Sequence, residues 1–312
     1  MVSRFFVERL CILHPLIVLT TSLHDNPHVY RHRRKVLPLN PQTRQDVNLE
    51  GIWTETTDGR SFMCVDDGEE EKILVFATDE MLDKMQEAET LFMDGTFYLC
   101  LSLWCQLYSI HCLVDDVMCH VAYALLPRKS KETYVRLFTL INAAAHTRIG
   151  AEPAPRVIQT DFEVAAIQAA QEVYPDADIR GCFFNFSQAV WKNVAEKGLA
   201  VEYRTNPDLQ RHVRRAAALP LLPLNQVQDV WMDVLNNSPD LPRLEQFNDY
   251  ITETWVDDAA RFQLLLWNQW ANVGPRTNNN LEGFHNKLKN RIRKAHPNLF
   301  EFVTHIKKVV QE

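Results

Sequence analysis

The chain has no Cys-x-x-Cys pair, no surplus of positive charge, and no internal repeat or low-complexity tract. Each absence excludes something. Its seven cysteines (positions 11, 64, 100, 105, 112, 119 and 182) are an odd number without the close pairing of a disulfide framework, so they read as reduced, intracellular thiols. Cys105, Cys112 and Cys119 recur every seven residues beside His111 and His120. Structural zinc sites favour closely spaced cysteine pairs, so buried thiols are the better reading and no zinc is expected. A formal net charge of −7 argues against a protein coated in positive charge, although a local basic stripe can still grip nucleic acid on an acidic chain.

The N-terminal run MVSRFFVERLCILHPLIVLTTSL is too short for a membrane span, so no membrane partner is expected. It imitates a signal peptide in part, which leaves secretion as a minor alternative. His14-Pro15 interrupts its apolar part and no small-x-small cleavage site follows, which favours a poorly ordered leader. The basic run Arg31, Arg33, Arg34 and Lys35 reads as a nuclear address, a phosphate-binding arm or a solvated linker.

What is present suits a soluble globular protein: 312 residues, 46% hydrophobic and 23% charged, enough for one large domain or two ordinary ones. Residues 1–60 read as leader and linker. In 61–78 two short strands flank the acidic turn Asp66–Glu71, and DEMLDKMQEAETLFM opens with Asp79 as a helix cap. Then come strands ending at Asp94, over 104–114 and over 118–127, the last stopped by Pro127. A helix follows with Tyr134, Leu137, Phe138 and Ile141 at helical spacing. A strand ending at Asp161, a helix stopped by Pro175, a fifth strand IRGCFFNF and a helix closed by Gly198 complete the pattern. This order predicts an α/β layer fold with a mixed five-stranded sheet flanked by helices over 61–200. Residues 201–275 read as all-helical, with Trp231, Trp255, Trp267 and Trp270 as core. Residues 276–312 form a last helical part.

Two acids close strands, Asp94 and Asp161. Asp94-Gly95 between apolar segments also fits a tight hairpin turn. Carboxylates at strand ends converge on one edge of an α/β sheet, where they repel one another unless a cation joins them. Mg²⁺ prefers such hard oxygen ligands, and two ions can clamp both reacting oxygens of a phosphoryl displacement. Several residues compete as a third acid. Glu163 also fits a capping box, Thr160-x-x-Glu163, and Asp257-Asp258 fits a solvated face. Glu282 falls in the first turn of a helix capped by Asn278–Asn280. That helix then carries Lys287, Lys289, Arg291, Arg293 and Lys294 with no acid until Glu301. It is either a helix half-buried through Leu288 and Ile292, or a carboxylate beside a phosphate-gripping stripe.

The segments LFMDGTF, TDFEVAAIQAAQEVYP, GCFFNFSQAVWK and RTNNNLEGFHNKL, in this order within 70–305, resemble the Mutator-like (MULE) transposase domain. The resemblance implies an RNase H-like core with a DDE triad of Asp94, Asp161 and Glu282, and a helical insertion before the last acid. It implies Mg²⁺ or Mn²⁺, expected as two ions, and a nuclear location. The implied reaction is hydrolysis of a DNA strand, then transesterification by the freed 3′-hydroxyl. DNA is the implied partner, with Arg276, Lys287, Lys289, Arg291, Arg293 and Lys294 as contacts, and such proteins often act as oligomers. Cys182, Asn185 and His285 match auxiliary positions, with Asn185 standing where the family usually has His. Asparagine hydrogen-bonds but cannot take a proton as imidazole does, so weakened catalysis is one expectation. The other is a transposon-derived DNA- or protein-binding module without catalysis. No upstream zinc-finger spacing is present, which suggests a fragment, a decayed element copy or a host-recruited protein.

Overall fold

The structure, a computed structural model, describes residues 37–96, 99–115, 117–277, 279–292 and 296–310, with the side chains of 279–282 outside the described set. The N-terminal apolar run and the basic run 31–35 lie outside the described residues.

One mixed sheet organises the chain. Its strands are β1 (Met63–Asp66), β2 (Leu74–Phe76), β3 (Thr90–Thr96), β4 (Gln106–Val114), β5 (Val117–Leu126), β6 (Val157–Thr160) and β7 (Asp178–Gly181). Their order is β1-β2-β5-β4-β3-β6-β7. The expected five strands become seven because the two short ones around the acidic turn join the edge, β2 pairing antiparallel with β5. β3, β4 and β5 form an antiparallel meander, and β6 and β7 run parallel to β3. Leu91, Phe92 and Met93 are all fully buried, so consecutive residues of β3 are covered on both faces, as in a central strand between helical layers.

The helices cover those faces. They include α1 (Asp79–Glu87), α2 (Lys131–Ile149), α3 (Val164–Val173) and α4 (Phe183–Glu196). Helix α1 is capped by Thr78, whose hydroxyl accepts the Met81 amide at 3.2 Å, and Asp79 is instead its first residue. Helix α2 starts at Ser130 and ends on Gly150 in the left-handed region. The predicted strand IRGCFFNF stops at Gly181. Cys182 is the cap of α4, and its carbonyl accepts the Phe186 amide at 3.1 Å. Aromatic β-propensity in FFNF yields here to packing, because Phe186 enters an aromatic cluster only from a helix.

In residues 200–275 the helices are α5 (Ala200–Tyr203), α6 (Pro207–Ala218), α7 (Val227–Asn236), α8 (Leu244–Ile251) and α9 (Leu264–Trp267), while 257–263 and 268–275 are irregular rather than helical. Trp231, Trp255 and Trp267 are buried there, but Trp270 is 58% exposed and is not core. Trp255 touches Phe162, Phe186, Phe262 and Trp267 with ring centroids 4.8–6.3 Å apart. Through Phe162 and Phe186 this cluster fastens the helical region to the ends of β6 and β7. The chain closes with α10 (Asn279–Ile292) and α11 (Leu299–Val310). Phe300 of α11 packs edge-on to Trp53 at 4.9 Å, and Val47 and Leu49 are buried, so the connector 37–60 is part of the packed body. Of the described cysteines, Cys100, Cys112 and Cys182 are buried, Cys64 and Cys119 are half-buried and Cys105 is exposed, which narrows the buried-thiol expectation.

Gly181 has a packing reason to be glycine: a Cβ there would overlap the Phe162 ring. The ring is held by Trp255 and Phe262 and cannot retreat. We expect Gly181→Ala to lose about 1–3 kcal/mol by overpacking, read as a lower urea midpoint at unchanged slope. An unchanged midpoint would show that the cluster yields.

Candidate active site at the carboxylate edge

Asp94 is not in a hairpin. It is the fifth residue of the seven-residue strand β3, opposite Ser109 of β4. The glycine after it has a different purpose. A Cβ on Gly95 would lie 2.7 Å from Gln106 Oε1, and Gln106 is fully buried and donates to the Tyr134 hydroxyl. Gly95 therefore lets a buried amide cross the strand.

The pairing of β3 with β6 brings the two aspartates together. Its register runs Thr90 to Val157, Leu91 to Ile158 and Phe92 to Gln159. Continued by two residues, it sets Asp161 level with Asp94. Asp161 follows β6 directly, and its Oδ1 accepts the Glu163 amide at 3.2 Å. Burial first, and then the Asp94 charge, raise the Asp161 carboxyl to about 6 against the opposing effect of that amide. Tyr108 lies against the same acids. Burial, followed by the Asp161, Glu163 and Asp94 charges, holds its phenol well above the usual range.

Glu163 does not form the capping box. It is itself the N-cap residue of α3 without a side-chain cap bond. Its carboxylate instead takes Lys129 Nζ at 2.7 Å and the Tyr134 hydroxyl at 2.7 Å. Asp257 and Asp258 are exposed, as a solvated face requires.

Helix α10 reaches the edge from the opposite side. Phe284, Leu288 and Ile292 form its buried stripe, so the half-buried helix is real. Phe284 sits 3.8 Å from the His120 ring and 5.5 Å from His111. His111 is wholly buried and His120 is half-buried. Burial, with neighbouring imidazole charge, lowers His111 well below the usual range and His120 to about 4. Neutral rings thus make an apolar platform for the helix. His285 then lies with Nδ1 3.3 Å from Asp94 Oδ2 and Nε2 3.0 Å from Ser109 Oγ. With Nδ1–H donating to the carboxylate, Nε2 accepts the serine proton.

Of the expected site residues, Asp94, Asp161 and His285 are brought together. Glu282 is the fourth residue of α10, three before His285, and its side chain lies outside the described set. Cys182 is buried at the end of β7, with its amide donating to Thr160 O at 2.8 Å, and Asn185 is half-buried in the first turn of α4. Among the expected DNA contacts, Arg276, Lys287 and Lys289 are exposed and Arg291 is half-exposed, while Arg293 and Lys294 lie outside the described residues. Among the described residues no group of three or more His, Cys, Asp or Glu side chains is placed to hold a metal ion. Ser109 and Lys129 were missed from sequence. Ser109 is found only through the β3–β4 register, and Lys129 carries no local signal beyond following Pro127.

The raised Asp161 carboxyl has a stability consequence. Unfolded, the group titrates near the ordinary ~3.9. In the metal-free native protein it titrates near 6, so the native state binds more protons in between and stability falls as pH rises from about 4 to 6. We expect Asp161→Asn, measured by urea unfolding in chelator, to match wild type below pH 4 and to exceed it by about 3 kcal/mol above pH 6. The asparagine oxygen can keep the Glu163 amide bond. A constant difference across this range would remove the assignment.

Among the described residues no helix is long and apolar enough to cross a membrane. No curated protein matches the chain. Residues 90–189, which run from the start of β3 into α4 and include both aspartates, match the family model of the MULE transposase domain. Over those residues, about a third of its length, the chain is similar to the MULE transposase domain.

Proposed function

We propose that the protein is a DDE-type polynucleotidyl transferase, cleaving a DNA strand at an element end and joining the freed 3′-hydroxyl to target DNA. The observation that carries this reading is the pair Asp94 and Asp161, level across β3 and β6 and repelling one another in a buried edge. The strand order β5-β4-β3-β6-β7, an antiparallel meander extended by two parallel strands, supports an RNase H-like core. In this reading residues 201–275 are a helical insertion ahead of the third acid.

The donor set fits hard divalent cations, because two carboxylates with mutual repulsion gain most from such a charge. Asp94, Asp161 and Glu282 would hold Mg²⁺ or Mn²⁺, which supplies charge stabilisation to the attacking and leaving oxygens of a phosphodiester. His285 and Ser109 orient the Asp94 carboxylate. Lys129 and Tyr134 keep the neighbouring Glu163 occupied. Glu282 is assigned from its position on the helix turn that precedes His285. Arg276 and the cations of α10 would grip the DNA backbone. The basic run 31–35 supports a nuclear location.

Asn185 favours a second reading, a DNA- or protein-binding module that has lost catalysis. One assay separates the two: strand cleavage and joining with Mg²⁺ or Mn²⁺ on DNA carrying the element's terminal repeats. We expect wild-type turnover, and losses of roughly 10²–10³-fold or more in Asp94→Ala, Asp161→Ala and Glu282→Ala. Binding without cleavage at any metal concentration establishes the module instead. In parallel, Mn²⁺ at about 100 times its Kd should stabilise wild type by about 2.7 kcal/mol, and Asp161→Asn far less.

A further inference from the structure

Three of the four tryptophans in the helical region are buried, yet Trp270 is 58% exposed. Its backbone is nonetheless fixed on both sides. Gln269 is fully buried, its amide donating to Pro220 O at 2.7 Å and its Nε2 to Gly181 O at 2.9 Å. The Trp270 amide donates to Asn268 Oδ1 at 3.1 Å. Asn272 donates to Gln269 Oε1 at 2.8 Å and accepts from Arg180 Nη1 at 3.1 Å. An exposed indole on a pinned backbone is preorganised for a flat partner.

Its location says which partner. Gly181, held by Gln269, pairs in register with Thr160, the residue before Asp161. The residue bearing the ring therefore follows one that is anchored a single strand away from the aspartate pair. Past it, Arg276 is exposed and its carbonyl takes the Phe183 amide at 3.0 Å, at the start of α4. A cation thus flanks the same edge on the same segment.

We infer that Trp270 is a stacking platform for an unpaired nucleobase of the DNA strand that enters the carboxylate edge, with Arg276 at an adjoining phosphate. This rests on the DNA-strand reading above. Base–indole stacking tolerates any base, because every base has a π-face. It requires a base out of the helix stack, so a single-stranded or frayed end is preferred over a duplex interior.

The test uses the full chain in chelator, so that no cleavage intervenes. Fluorescence anisotropy compares a labelled DNA duplex bearing a 3′ single-stranded overhang with its blunt counterpart. Trp270→Ala should weaken binding of the overhang substrate by roughly 5–150-fold, leave the blunt duplex unchanged and keep the wild-type melting temperature. Trp270→Phe should recover most of the loss. Equal affinity of Trp270→Ala for the overhang, an equal loss on both substrates, or no overhang binding by wild type each overturns the inference. A Trp270 effect in a protein that never cleaves sinks only the catalytic reading. Cleavage that needs Asp94 but shows no Trp270 effect sinks only the stacking.

Discussion

The parallel pairing of β3 with β6 is the constraint on which the carboxylate edge depends. Nothing else brings Asp94 level with Asp161 across the intervening strands β4 and β5 and helix α2. Two carboxylates brought to one edge repel one another unless a cation joins them. Fully burying one aliphatic side chain contributes about 1.5–3 kcal/mol, and Leu91, Met93 and Ile158 are all fully buried on these two strands. Strand packing holds the pair in place, and the raised Asp161 carboxyl reflects its burial first and the Asp94 charge second.

Two lateral elements complete the edge by different means. On one side, neutral His111 and His120 accept the Phe284 ring and seat α10, so that His285 meets Asp94. Histidines forced to stay neutral by burial can serve as apolar surface only because the site's charge lies one residue further along the helix. On the other side, the Trp255 cluster grips Phe162 and Phe186, which flank Asp161 and Cys182 in sequence.

Much of this was legible in the sequence. The alternation of strands and amphipathic helices gave the α/β layer order, and the acids Asp94 and Asp161 pointed to the edge, although β3 does not end at Asp94 but runs on to Thr96. What escaped was whatever register decides. The hairpin alternative for Asp94-Gly95 is a strong local signal, but Gly95 answers to Gln106 from the next strand, a contact invisible along the chain. Likewise Glu163 satisfies a capping-box spacing yet is captured by Lys129 and Tyr134, because a buried hydroxyl and a lysine outbid one amide. FFNF looked like strand since its aromatics favour sheets, and became helix because Phe186 packs on Trp255 and Trp267. Trp270 was grouped with its buried neighbours because helical spacing cannot tell a core indole from one turned outward by a pinned loop.

The departure at Asn185 changes meaning once the two sides of the edge are compared. In the first turn of α4 stand Phe183, Phe184, Asn185 and Phe186, none of which can carry a proton. Across the edge, His285 holds an imidazole 3.3 Å from Asp94. Proton-accepting capacity beside the aspartate pair is thus placed on α10, not on α4. Asparagine in the α4 turn keeps a donor and an acceptor for a phosphate or sugar hydroxyl, while its amide stays neutral at every pH. Of the two helices that meet this edge, only α10 therefore brings an imidazole to the aspartates, while Asn185 offers α4 hydrogen-bonding groups that do not titrate.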